Sequence, residues 1–219
     1  AAADDFILPS CFDPSLIADS VMKKNFAGLP PVMRDTAAKT YDVLIRTLDG
    51  QLADIMLDSA AMEATLGAAE KTESGFIRDI AELICATADI KVAYRAAMTG
   101  KDRQFLDIAL WNMKTLGKAE LSAAALSGVG GLADYLASTP YSGAAASLNK
   151  SSVSFEKWCD DIVMSRLEKA KYTALGPEPL IAYYFAKEAE IKNIRIILSC
   201  KHNDIPEETI RERMRTLYV

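Results

Sequence analysis

Apolar positions along this chain recur at helical spacing and almost nowhere alternate. Ala, Leu, Lys and Glu dominate long stretches, and runs that alternate β-branched with polar residues are nearly absent, so the expected class is all-α. Helix starts are marked by Asp13-Pro14, by Pro30-Pro31 ahead of a run to about Leu48, and by Asp204 to Glu207, which has the form of a capping box with proline in the first turn. Leu116–Gly131 holds four glycines and no long apolar period, which predicts a loop or a loosely built helical connection. A second break at Leu175–Pro179 separates a helix over Phe155–Tyr172 from a final long helix, because two prolines and a glycine cannot continue one.

That final helix has charge in an unusual place. Lys187, Glu188, Glu190, Lys192, Asn193 and Arg195 fill its middle, and apolar residues crowd both ends. Local pairing accounts for part of this: Glu188 and Lys192 are spaced i,i+4, and Lys187 and Glu190 i,i+3. Asn193 and Arg195, however, lie among Ile191, Ile194, Ile196, Ile197 and Leu198, where apolar side chains point in nearly every direction and some polar groups must be buried. The expectation is a buried polar network that fixes how helices, or repeats, dock. Beyond it, Ile210, Met214 and Leu217 predict one apolar stripe on a short surface helix, with Glu207 and Arg211 as a favourable pair.

Compared with itself at a shift of 100 residues, the chain places Ile80–Lys101 on Leu180–Lys201, with Arg95 on Arg195 and Lys101 on Lys201. A slip of one residue instead aligns Asp89-Ile90-Lys91 with Glu190-Ile191-Lys192. This pattern suggests a diverged repeat. The candidate docking residues are therefore Glu188, Glu190, Lys192, Asn193, Arg195 and Lys201, with Arg95 and Lys101 as counterparts. The rhythm of Asp13–Met22 resembles that of Asp204–Met214, so the expected division is a tail of a truncated first unit over 1–30, a helical unit over 31–130 and a second over 131–219.

Composition narrows the chemistry. A net charge of −5 without a long Lys/Arg run argues against a nucleic-acid partner. Lys187 and Glu188 interrupt the best apolar stretch, so no segment is expected to insert in a membrane. Cys11, Cys85, Cys159 and Cys200 lie far apart and His202 is the only histidine, which leaves no zinc spacing and reads as reduced, mostly buried thiols. Gly128–Gly131 lacks the lysine of a phosphate loop and reads as a turn. No catalytic, cofactor or metal residues are assigned. One foothold for an enzyme remains: isoprenoid synthases hold magnesium with clustered aspartates on a helix, and Asp160-Asp161 lies on one. The residue four positions on is Met164, so the pair reads as a solvated face, and Asp160→Asn is expected to leave assembly unchanged. Asp54 and Asp58 likewise read as exposed charges.

The string Ala186-Lys-Glu-Ala-Glu-Ile-Lys-Asn-Ile-Arg-Ile-Ile-Leu-Ser-Cys-Lys201, continuing through Ile205–Arg213 to Tyr218-Val219, closely resembles the C-terminal signature of the central-stalk connector of rotary V/A-type ATPases, the C subunit of bacterial and archaeal enzymes and the d subunit of eukaryotic ones. Weaker similarity runs through Leu52–Asp58, Ser138–Ser142 and Tyr172–Pro179, and Cys200 stands where the family usually has glycine. The resemblance implies a funnel of helical wedges with approximate threefold pseudo-symmetry. It also implies a non-catalytic role without cofactor: a cytoplasmic component, peripheral to the membrane, that couples the rotor shaft to the membrane proteolipid ring during proton or sodium transport. The competing expectations are an all-α metal-dependent enzyme of isoprenoid-synthase type and a generic helical scaffold.

Overall fold

The computed structural model describes residues 12–218, and among them every regular element is helical. Cys11 lies outside the described residues. The chain divides into two compact units, residues 1–64 and 65–219. In the first, α1 (Pro14–Met22) starts where Asp13 accepts the Ser15 amide at 2.9 Å. α2 (Pro31–Thr47) stops at Leu48, which turns left-handed at φ 56°. α3 (Gly50–Glu70) follows and runs across the division. The Phe26 and Tyr41 rings pack 5.6 Å apart beside buried Leu29. Asp54 and Asp58 are exposed, and Arg46 pairs with Asp42 at 2.9 Å.

The second unit is built on α4 (Gly75–Thr99), capped by Ser74 and closed by Gly100 at φ 66°, so Lys101 lies just past the helix. Ten of its residues are buried, and Ala81, Ala86, Ala93 and Ala96 among them let neighbouring helices approach closely. Around it pack α5 (Arg103–Ala109), α6 (Lys118–Leu126), α7 (Gly128–Ala137) and α9 (Ser152–Leu167), with α8 (Ser142–Leu148) joining α7 to α9. Ile90, Leu106, Leu121, Leu132, Leu136 and Phe155 are almost wholly buried, each burial contributing about 1.5–3 kcal/mol before entropy is counted. A 3₁₀ turn (Glu168–Tyr172) leads through Gly176, φ 116°, into α10 (Glu178–His202). A second cluster of Ile80, Met164, Leu167 and Ala182 joins α4, α9 and α10. α11 (Glu207–Arg213) closes the unit, with Glu207 and Arg211 paired at 2.6 Å as their spacing predicts.

Of the two readings of the glycine-rich stretch, the helical connection is the one observed: α6 and α7 meet there, Gly128 at φ 87° makes the corner, and a Cβ on Gly131 would stand 2.6 Å from that of Ser127. These glycines allow a tight helical junction. The capping box at Asp204 does not form, because α11 begins only at Glu207, after Pro206, with no side chain accepting at its start, and Asp204 is itself left-handed at φ 53°. The stripe through Leu217 fails as well: the chain turns extended at Met214, so Ile210 is buried but Leu217 lies off the helix and exposed.

Candidate functional site

Where α4, α9 and α10 meet, one carboxylate gathers three cations. Asp160, midway along α9, accepts from the Lys192 ammonium of α10 at 2.5 Å and from Arg215 Nε at 2.7 Å, and Lys91 of α4 stands 3.3 Å from its other oxygen. The Asp160 side chain is 21% exposed and that of Arg215 8%. Burial alone would raise the Asp160 pKa, but the hydrogen bonds from Lys192 and Arg215 and the charge of Lys91 outweigh it and hold the carboxyl below its ordinary value. The hub is ionised, and three chain segments close on it.

Asn193 completes the junction one position along α10. Its amide donates to the Arg215 carbonyl at 2.9 Å and accepts from the Arg215 amide at 2.8 Å, so the buried side chain pairs with the backbone as a neighbouring strand would. Asp161 accepts the Thr216 amide at 2.7 Å, and the Arg215 guanidinium also donates to the Arg213 carbonyl. The extended segment after α11 is thus held to α9 and α10 by side chains that bond its main chain.

Of the eight residues singled out in the sequence, Lys192 and Asn193 make these bonds. Glu188 borders the same cavity, but its carboxylate accepts from the Tyr184 hydroxyl at 2.8 Å, so the i,i+4 pair with Lys192 is not made. Glu190 pairs with Lys187 at 2.7 Å as spaced, on an exposed face. Arg195 and Lys201 are exposed. Arg95 stands 3.9 Å from Glu156 in solvent, and the Lys101 ammonium lies 5.1 Å from the Phe105 ring centre. Asp160, Asp161, Lys91 and Arg215 were not among the eight. One signal pointed to Lys91: the one-residue slip matches it to Lys192, and these two lysines converge on Asp160.

The reading of Asp160-Asp161 as a solvated face is therefore corrected. The pair is occupied by cations and backbone amides, the reverse of the arrangement that draws a magnesium ion. Next to it, burial pushes the Cys159 thiol up to about 12 and that of Cys85 to about 11, so neither is a nucleophile near neutrality. A junction of this kind binds helix to helix.

Residues 3–213 match the family described as ATP synthase (C/AC39) subunit. The chain belongs to that family. Among curated relatives, the C subunit of the V-type sodium ATPase of Enterococcus hirae is 42% identical over 66 residues, which is 30% of this chain and only 20% of that relative's length. No solved structure is a significant match. Membership in this V-type ATPase family agrees with the helical architecture, and among the described residues no helix is long and apolar enough to cross a membrane.

Proposed function

We propose that this chain is a non-catalytic connector in the central stalk of a rotary V/A-type ATPase, coupling the rotor shaft to the membrane proteolipid ring while other subunits handle ATP and the ring carries protons or sodium ions. It acts on the cytoplasmic side, peripheral to the membrane through the complex. The observation that carries this reading is the family match over residues 3–213. The junction supports it: its charged groups are engaged in tying α4, α9, α10 and the closing segment together, as a stiff spacer requires. On this reading α4 and α10 are counterpart helices of the units 31–130 and 131–219, and Asp160 is the point where they lock.

Reconstitution of the protein with purified shaft and proteolipid ring tests the proposal. Co-sedimentation with both is expected, and the absence of binding to either overturns it. The isolated protein is expected to hydrolyse no ATP above background. A measurable rate that Asp160→Asn removes would favour the enzyme alternative instead.

A further inference from the structure

A groove runs between α4 and α10, closed along one side by Thr65, Ala68, Ala69 and Thr72 at the end of α3. Ile77, Ile80 and Ile84 line one wall and Leu180, Ile181 and Tyr184 the other, around an apolar volume of about 540 Å³. At one end the Ser74 hydroxyl donates to Glu178 at 2.7 Å and joins the starts of the two helices. At the other end, past the shared residues Ile84 and Phe185, the groove enters a cavity of about 270 Å³ bordered by Lys91, Lys192 and Arg215. From Ile77 to Lys91 the α4 wall is about 21 Å long, four helical turns at 1.5 Å per residue. Leu180 and Tyr184 are 72% and 58% exposed, so this apolar strip lies open to water.

Both walls are helices whose backbone groups are already bonded internally, so the groove has no main-chain edge to offer. An extended peptide laid there would leave its own amides and carbonyls without partners, whereas a helix brings them satisfied. An acyl chain would stay half wet in so open a trough. The charged end also selects. Lys91, Lys192 and Arg215 face Asp160 and Glu188, three cations against two carboxylates, in a chain whose net charge is −5. A carboxylate arriving there is favoured and a basic group is repelled.

We propose that the groove receives an amphipathic helix of about four turns, apolar at i, i+3 or i+4 and i+7, with an Asp or Glu at the end that meets Lys91, Lys192 and Arg215. The occupant is a helix of another subunit of the same complex, which rests on the connector reading above. In the complex assembled with shaft and ring, p-benzoylphenylalanine in place of Tyr184 is expected to crosslink to a segment with this apolar pattern and an acidic residue within one turn of it. A complex that assembles without a crosslink, or with one to a basic segment, overturns the groove and leaves the connector reading standing. Failure to assemble overturns the connector reading instead.

The groove is then decided by a synthetic helical peptide of about 15 residues with leucines at that spacing, made with either Glu or Lys at its terminus. Wild type is expected to bind the Glu form about tenfold more tightly than the Lys form by fluorescence anisotropy, and Lys192→Glu to reverse the preference. Equal binding of both peptides by both proteins, or displacement of the Glu peptide by sub-micellar oleate, overturns the proposal.

Discussion

At the residue scale, Asp160 is ionised because three donors more than offset its desolvation, and removing its charge reverses that balance. Asp160→Asn leaves Lys91, Lys192 and Arg215 clustered without a counter-charge, and the expected loss is roughly 2–4 kcal/mol in urea unfolding. Arg95→Ala, which breaks a long, solvent-exposed pair, is expected to cost no more than about 0.5 kcal/mol. Two carboxylates, one partly and one fully buried, pull in opposite directions with pH. The depressed pKa of Asp160 means that its contribution is complete above its unfolded value of 3.8 and is lost as pH falls below that value through the folded pKa. Asp89, fully buried on α4 with its Oδ2 accepting the Trp111 amide at 2.8 Å, is raised by burial to about 7. Its proton is held in the folded state, so its contribution is complete below 3.8 and is lost as pH climbs to about 7. Asp89→Asn keeps an acceptor for Trp111 and should flatten the stability profile across that window, by on the order of a few kcal/mol, when denaturant midpoints are measured at each pH. The sequence pointed to Lys192 and Asn193 because they interrupt an apolar run. It could not reveal Asp160, since Lys192 has an acid one turn away on its own helix and reaches past it to one 32 residues earlier.

At the scale of elements, the junction is where an extended segment is held against helices. Asn193→Ala removes both bonds to residue 215 and leaves a buried amide and carbonyl unpaired, at a cost of about 2–3 kcal/mol. Hydrogen exchange is expected to accelerate first at the amides of Arg215 and Thr216, ahead of the α4 and α9 interiors; uniform acceleration would mean that the segment is not a separately released element. Most helices were legible from caps and breakers: Asp13, Pro30-Pro31 and the Gly176 region stand where the periodicity places them. α6 and α7 were legible only as one of two alternatives, because short helices packed on several sides show no apolar face, and their glycines serve close approach as well as chain reversal. α11 was misjudged at both ends because Asp204 can cap a helix or adopt the left-handed turn it takes here, and only its packing decides which.

Across the whole molecule, the core offers its own reporters. Cys85 and Cys159 sit at 1% exposure with thiols shifted well above neutrality, so iodoacetamide at pH 8 should modify both at a single rate set by global opening. Distinct rates would show that α4 and α9 open independently. The clamp at Asn193 carries a different implication, about which sequences this architecture can tolerate. Because that side chain bonds the nitrogen and oxygen of residue 215 rather than its guanidinium, it recognises a peptide unit without regard to identity. Position 215 is therefore free to drift whenever the tie to Asp160 can be spared, and proline, with no N–H to give, is the one residue that the clamp itself rejects.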